Sequence, residues 1–116
     1  MPRNPALEPP AAPLVQVFGT DDSPATRAAV RFFRERRIAA QSIDLRRKPI
    51  APAELRRFVE RLGARALVDQ DGRAWREAGL SWLRMTDAEL VDRLLADHRL
   101  LRVPLVRVGK DVAAGR

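Results

Sequence analysis

Hydrophobic positions near the start of the chain predict a buried strand followed by a helix. Residues 14–18, LVQVF, are apolar at four of five positions, as in a strand buried on both faces, and Gly19 ends the run. Ser23 and Pro24 then have the residue types preferred at the N-cap and at the first position of a helix. The pattern therefore predicts a strand, a polar turn and a helix.

The helix after Ser23 has an apolar side, and a second short strand follows it. We assign its apolar side to Ala29, Val30, Phe32 and Phe33. A second strand is predicted near residues 41–45. Together these segments form a strand–helix–strand unit, which is typical of an α/β fold.

The segment KPIAPAELRRFVERLG predicts a second helix. Pro52 suits its first turn and Gly63 suits its C-terminal cap. Its apolar stripe consists of Leu55, Phe58, Val59 and Leu62.

The second half of the chain predicts further short elements. Residues 65–68 form a short apolar segment, and AWREAGL suits one more helical turn. Thr86 and Glu89 have capping-box spacing and open a helix whose buried side is Leu90, Val91, Leu94 and Leu95. VPLVRVGKDVAAGR predicts two strands joined at Gly109 and Lys110.

Length and composition indicate one small domain. A chain of 116 residues fits a single core, and no apolar run approaches the ~20 residues of a membrane span. Residues 1–13 hold five of the nine prolines and predict a disordered tail, so we place the domain at residues 14–116. The start of the chain has no secretory h-region and the chain has no Cys, so the cytoplasm is the expected compartment and no membrane partner is expected.

The net charge of +7 leaves a nucleic-acid partner as an unlikely alternative. The basic residues are scattered over most segments and only 5% of residues are aromatic, whereas a nucleic-acid binder concentrates cations and adds stacking aromatics. The densest group is Arg27, Arg31, Arg34, Arg36 and Arg37. Binding through that group would show a steep dependence on salt.

The order of elements and several motifs resemble the arsenate reductase ArsC and Spx family, over roughly residues 14–116. The family turn is Cys-x-x-Ser or Cys-x-x-Cys followed by Arg, and SPATR places Ser23, Thr26 and Arg27 at those positions. The resemblance implies a thioredoxin-like mixed sheet flanked by helices, with a helical insertion. It also implies that Ser23, Thr26 and Arg27 lie at the ligand site.

Two later segments extend the resemblance. DQDGRAWREAGL matches a family segment that begins with Arg, which here is Asp69, and the match continues at Trp75, Arg76, Gly79 and Leu80. The family Arg-Pro is VP in this chain, with Val103 in place of the Arg and Pro104 kept. The resemblance implies that Pro104 is cis, and that Val103 and Pro104 border the ligand site.

The departures from the family pattern exclude its thiol chemistry. A thiolate can ionise near neutral pH at a helix N-terminus and form a mixed disulfide, and Ser23 cannot. The two arginines that would hold an oxyanion are replaced by Asp69 and Val103. Asp21 and Asp22 precede the helix and would repel arsenate or phosphate.

Several residues have a simple structural interpretation beside the functional one. Ser23 is better suited to cap a helix than to act as a nucleophile. A serine nucleophile needs an adjacent base, and the sequence does not relate the one His, His98, to Ser23. Trp75 suits the core and Arg76 the surface. His98 suits the end of a helix, and no metal site is expected because no second His and no Cys is present.

These observations leave two main hypotheses. The first is a non-redox binding or regulatory protein with a protein partner, since the Spx resemblance implies binding to RNA polymerase. The second is an enzyme that binds glutathione near Ser23 and Pro104 and uses the sulfur of that cofactor. No other cofactor is expected. The chain stops at AAGR, where family members continue into a final helix.

Overall fold

A computed structural model describes residues 14–79 and 84–115 of the chain. Its strands are β1 Val15–Gly19, β2 Ala40–Asp44, β3 Leu105–Val108 and β4 Asp111–Ala114. Its α-helices are α1 Pro24–Glu35, α2 Pro52–Leu62, α3 Arg73–Glu77 and α4 Asp87–Ala96, and short 3₁₀ helices span Arg65–Leu67 and His98–Leu100. The tail predicted at residues 1–13 and the motif residue Leu80 lie outside the described residues.

The strands form one mixed sheet in the order β2-β1-β3-β4. β1 runs parallel to β2 and antiparallel to β3, and β3 pairs antiparallel with β4. The crossover helix α1 joins the parallel pair, as such a connection requires. This mixed sheet with flanking helices confirms the predicted thioredoxin-like α/β fold.

The two faces of the sheet pack against different helices. On the first face Phe18 and Leu105 are register partners, and Phe18 meets Phe58 of α2 edge to face, with ring centroids 5.9 Å apart. On the second face Val15 and Val17 are buried beneath α1. Alternation along each strand therefore supplies two apolar layers.

The helix boundaries follow local sequence signals. Ser23 and Thr86 are N-caps, and Thr86 forms the predicted capping box with Glu89. Gly63 ends α2 at a φ of 84°, a conformation that favours glycine. The predicted caps are therefore confirmed. They could be predicted because each depends on residues only a few positions apart.

The predicted apolar side of α1 is wrong at one position. Phe32 is 46% exposed, whereas Thr26, a polar residue, is buried at 4%. The helix is turned so that Thr26 meets β1, and Phe32 lies to one side, where the Arg36 guanidinium stacks 3.6 Å from its ring centroid.

The segment between α2 and α4 is helical in short pieces. The apolar segment at residues 65–68 forms the 3₁₀ helix Arg65–Leu67, and Val68 then bridges to Leu101. The additional helical turn is α3, which places Trp75 in the core at 8% exposure and Arg76 at the surface, as predicted.

Within the described ranges, no helix is both long and apolar enough to cross a membrane.

Candidate binding cleft at the Ser23 turn

A cleft opens at the carboxyl end of β1, where the chain turns into α1 and where the loop before β3 returns. The Val103–Pro104 peptide bond in that loop is cis, as the resemblance implies. The cleft has a volume of about 240 Å³, and its lining residues are Thr20, Asp22, Arg46, Asp69, His98, Arg99, Leu101 and Val103. Of the five residues that the resemblance implies at a ligand site, one, Val103, lines this cleft.

Ser23 serves as the cap of α1. Its backbone is extended, with φ −86° and ψ 117°, and its Oγ accepts the Thr26 amide at 3.1 Å. Among the described residues the Ser23 hydroxyl has no hydrogen bond to a histidine or a carboxylate. A hydroxyl without a base is a weak nucleophile, so the geometry favours the capping role.

We expect Ser23→Ala to lower the free energy of unfolding by about 1 kcal/mol, because the Thr26 amide loses its acceptor. Ser23→Asn should cost close to nothing, since asparagine caps helices as well as serine does. Chemical denaturation of the three proteins checks this. Equal losses in both variants would contradict the capping role.

Thr26 does not line the cleft. Its side chain packs against Gly19 of β1, and its buried Oγ1 has no hydrogen-bond partner among the residues that the structure describes. Burial of an unpaired hydroxyl is unfavourable, and this one is enclosed between the helix and the strand. The position that carries a family motif residue therefore faces the interior.

Arg27 points away from the cleft. It is exposed and donates from Nη1 to the Asp21 carbonyl at 2.7 Å. With Arg31 and Arg34 it borders a separate depression that reaches Ser42 of β2. The three ligand residues that the resemblance implies in this turn therefore have different environments, although they are close in sequence. Ser23 caps α1, Thr26 packs against β1, and Arg27 is exposed.

Val103 and Pro104 have different exposures. Pro104 is buried, and its carbonyl accepts the Gly115 amide at 2.6 Å. Val103 is partly exposed and lines the cleft, and its backbone amide and carbonyl make no hydrogen bond within residues 14–79 and 84–115. An extended ligand could pair with these two groups.

Asp69 reaches the cleft through pairing between two distant segments. Its amide donates to the Leu100 carbonyl at 2.9 Å, and the Arg102 amide donates to the Leu67 carbonyl at 2.7 Å. The bridge between Val68 and Leu101 lies between these bonds. A carboxylate therefore occupies this wall of the cleft at the position where the family has an arginine.

Both guanidinium groups that line the cleft are already paired. Arg99 binds Asp97 through two bonds, from Nε to Oδ1 at 3.0 Å and from Nη2 to Oδ2 at 2.9 Å. Arg46 lies 3.4 Å from Asp44 and 3.8 Å from Asp21, measured from nitrogen to oxygen. Paired arginines attract an external oxyanion less than free ones, because nearby carboxylates offset their charge.

Asp22 adds a further negative charge. A hydrogen bond from the Thr20 side chain is the largest effect on the pKa of Asp22 and lowers it; burial raises it by less, and the Arg46 charge lowers it further. The carboxyl is therefore ionised at neutral pH. Neither Asp21 nor Asp22 caps α1. Asp22 and Asp69 line the cleft and make it unfavourable for arsenate or phosphate, while Asp21 lies outside the lining and offsets the charge of Arg46 from 3.8 Å.

Asp97 should make stability depend on acid pH. Hydrogen bonds from the Arg99 side chain lower the pKa of Asp97 below its ordinary 3.8, while burial opposes this. Because the folded pKa is lowered, the stabilisation is complete above pH 3.8 and is lost as the pH falls through the folded pKa.

We therefore expect Asp97→Asn to destabilise the protein at neutral pH, and the difference from the unmodified protein to shrink towards about pH 2. Denaturation at several pH values measures this. Asp92→Asn, at an exposed position of α4, is the matched control and should stay within about 0.5 kcal/mol. A difference that grew on acidification would contradict the interpretation.

Sequence reasoning missed Arg46, His98 and Arg99 as members of the cleft. They belong to no motif, and only the pairing of residues 67–69 with 100–102 brings His98 and Arg99 close to the Ser23 turn. His98 is not part of α4, which ends at Ala96, but begins the next 3₁₀ helix. In the described part of the chain, no three residues that could bind a metal lie together, so His98 belongs to no such group.

The cleft and the sheet define a thioredoxin-like protein with a serine at the turn before α1. The family model of the ArsC family matches residues 18–116. The chain belongs to the ArsC family.

Solved structures agree with this fold. An arsenate reductase from Vibrio cholerae has a TM-score of 0.80 at 21% identity, covering 91% of this chain and 92% of the other. An arsenate reductase (ArsC) related protein from Brucella melitensis has a TM-score of 0.70 at 16% identity, covering 93% and 91%. Identities this low support the fold alone. No curated protein matches the chain.

Proposed function

We propose that this ArsC-family protein is a non-redox binding or regulatory protein that acts in the cytoplasm by binding a protein partner. The observation that carries the proposal is the Ser23 hydroxyl, which accepts the Thr26 amide at 3.1 Å and so caps α1 where the family has its reactive sulfur. A cap stabilises the fold and performs no redox step.

The charges of the cleft support the same proposal. Reduction of an oxyanion needs cations that are free to hold it, and here Arg99 and Arg46 pair with Asp97 and Asp44. Asp69 and Asp22 face the same space. Loss of sulfur and loss of free positive charge thus occur together.

The loop before β3 offers a way to bind a peptide. The Val103 amide and carbonyl make no hydrogen bond within the described residues, and they border an open cleft. Backbone groups of this kind bind extended segments by adding a strand-like pair of hydrogen bonds. RNA polymerase is one candidate partner, on the strength of the Spx resemblance.

Affinity purification of the tagged full chain from its native cells tests the proposal. We expect one protein to be enriched over an untagged control, and we expect Ser23→Asn to enrich it equally, because that variant keeps the cap and lacks the hydroxyl. The proposal fails if no protein is enriched. It also fails if Ser23→Asn abolishes the enrichment while the fold is retained.

A glutathione-dependent enzyme is the second candidate. The observation that favours it is the Val103 backbone, which makes no hydrogen bond to any described residue and borders the cleft. The sulfur of the cofactor would then supply the chemistry. An NMR titration with glutathione should shift the Ser23 and Val103 amides at roughly millimolar concentration, a Kd worth about −4 kcal/mol. Unchanged amide positions at that concentration would exclude this candidate.

A further inference from the structure

β2 forms one edge of the sheet, and part of its outer side makes no backbone hydrogen bond. In the order β2-β1-β3-β4, β1 is its hydrogen-bonded neighbour. The Leu45 amide donates to the Gly19 carbonyl, so in the parallel register every second residue before Leu45 also directs its N–H and C=O groups at β1. Ala40 and Ser42 alternate with those residues. Their N–H and C=O groups point outward and make no hydrogen bond to any described residue.

Two surface depressions flank this outer side, which we call the β2 edge, and Ser42 borders both of them. One has a volume of about 430 Å³ and lies beside α1, and the other has a volume of about 440 Å³ and reaches Gln41 and Ile43. The side chains of Gln41 and Ile43 lie on the opposite sheet face from that of Ser42, so the depressions lie on opposite sides of the strand. A segment laid along the β2 edge would therefore have space for its side chains on both sides.

Positive charge prevails in both depressions. The cations that border them are Arg27, Arg31 and Arg34 in the first, and Arg47 and Lys48 in the second. The carboxylates there are Asp21 and Asp44. Both lie within 3.8 Å of the Arg46 guanidinium, which offsets their charge. The β2 edge thus favours a ligand with negative charge.

We propose that the β2 edge binds an extended acidic segment of a protein partner, which adds to the sheet as a further strand. This inference rests on the proposed function and names the surface and the chemistry of the partner. The backbone of the segment would bond to the outward groups of Ala40 and Ser42. Its side chains would alternate between the two depressions, so acidic residues at successive positions would all meet cations.

Charge favours such a segment over a second copy of this chain. Two β2 edges that paired with each other would bring their cations together, and each chain carries a net charge of +7. An acidic segment is attracted by the same cations, most strongly at low salt. The binding should therefore weaken as salt is added.

Other parts of this chain are poorly suited to the β2 edge. Residues 1–13 hold five of the nine prolines, which cannot donate to a strand ladder, and their one acidic residue is Glu8. The chain that follows β4 leaves the sheet at its opposite edge, three strand spacings or about 14 Å away. α1, which packs against β1 and β2, stands between that side of the sheet and the β2 edge. These features favour a partner as the occupant.

Two substitutions of Ser42 test the strand pairing. Proline has no N–H and its ring blocks a neighbouring strand, but the Ser42 N–H points outward, so Ser42→Pro keeps the bonds to β1. We expect Ser42→Pro in the tagged full chain to lower recovery of the enriched protein about tenfold or more. Ser42→Ala keeps the backbone groups and should leave recovery unchanged. Unchanged recovery with both variants, or equal losses, would overturn the inference.

Charge reversal gives a measurement that does not depend on how well Ser42→Pro folds. Arg31→Glu combined with Arg34→Glu should lower recovery about tenfold or more at low salt, because the segment then meets like charge. Arg56→Glu combined with Arg93→Glu changes the net charge equally, at exposed positions of α2 and α4, and should have a much smaller effect. Equal effects of the two double variants would overturn the inference.

Site-specific photocrosslinking in the native cells identifies the occupant. A benzophenone amino acid is placed at Ala40 on the β2 edge, at Ala53 on the exposed side of α2, and at Val103 in the cleft, and adducts are mapped by mass spectrometry. We expect an adduct from position 40 within a segment of another protein that is rich in Asp and Glu, and none from position 53.

The remaining outcomes of the crosslinking contradict the inference. No adduct from position 40, or an adduct there to a second copy, to another part of this chain or to a segment without acidic residues, would overturn it. An adduct from position 103 alone would leave the proposed function standing and remove this inference. No adduct from any position, together with no enriched protein, would remove both.

Discussion

Replacing Gly19 with alanine is expected to lower the free energy of unfolding by about 2–3 kcal/mol. A Cβ atom at Gly19 would lie 2.6 Å from the Thr26 Cγ2 and 3.0 Å from the Thr26 Cβ. Thr26 is 4% exposed, and its short side chain is fixed between α1 and β1, so it cannot move aside. The first turn of α1, which Ser23 caps, would have to shift away from the strand.

A compensating change makes this prediction specific. Thr26→Ala removes Oγ1 and Cγ2, the two Thr26 atoms closest to the new methyl group, and leaves only the Thr26 Cβ at 3.0 Å, so it should restore part of the stability in the Gly19→Ala protein. Chemical denaturation of both single variants and the double variant gives the coupling free energy. If Gly19→Ala stayed within 0.5 kcal/mol of the unmodified protein, α1 would not approach β1 as closely as described.

Glu54→Gln is the second change with a large expected effect. It should lower the free energy of unfolding by about 2 kcal/mol. The Arg107 Nε of β3 donates to Glu54 Oε1 of α2 at 2.6 Å, and the two side chains are only 16% and 18% exposed. Arg107 also donates to the Gln16 side chain of β1. Loss of the carboxylate leaves a largely buried guanidinium without its counter-charge.

Glu60→Gln supplies the control for this change. Glu60 lies on the same helix but is exposed, and we expect its replacement to alter stability by less than about 0.5 kcal/mol. Replacing both Glu54 and Arg107 by methionine should cost less than the sum of the single changes, because no charge is then left buried. Additive losses would contradict a direct interaction between the two side chains.

Local signals made most of the fold predictable from the sequence. Ser23 with Pro24, and Thr86 with Glu89, mark helix starts through contacts three residues apart or fewer, and Gly63 marks a helix end. The helical spacing of apolar residues does not by itself decide how a helix is rotated about its own axis against the sheet. The exposure of Phe32 was therefore not predicted, since it depends on the packing of Thr26 against Gly19.

The candidate site was predictable only at its motif positions. Ser23, Val103 and Pro104 could be located through the family resemblance, and the cleft lies beside them. Arg46 and Arg99 could not, because each reaches the cleft through pairing between distant segments: the Leu45 amide with the Gly19 carbonyl for Arg46, and the Asp69 amide with the Leu100 carbonyl for Arg99. Each of these arginines binds the aspartate two residues before it, and this short spacing permits an ion pair without requiring one.

We propose that this cleft lacks the free positive charge, as well as the sulfur, that arsenate reduction by a thiol would require. The most direct test is the rate of arsenate reduction by Ser23→Cys with glutathione as reductant, after a thiol reagent has shown that the new sulfur is accessible. A cysteine at a helix N-terminus should form a thiolate readily. We expect no turnover above that of the unmodified protein, because Asp69, Asp22 and the paired arginines disfavour the oxyanion. Clear turnover by this single variant would contradict it, and would identify the protein as an arsenate reductase that lacks only its sulfur.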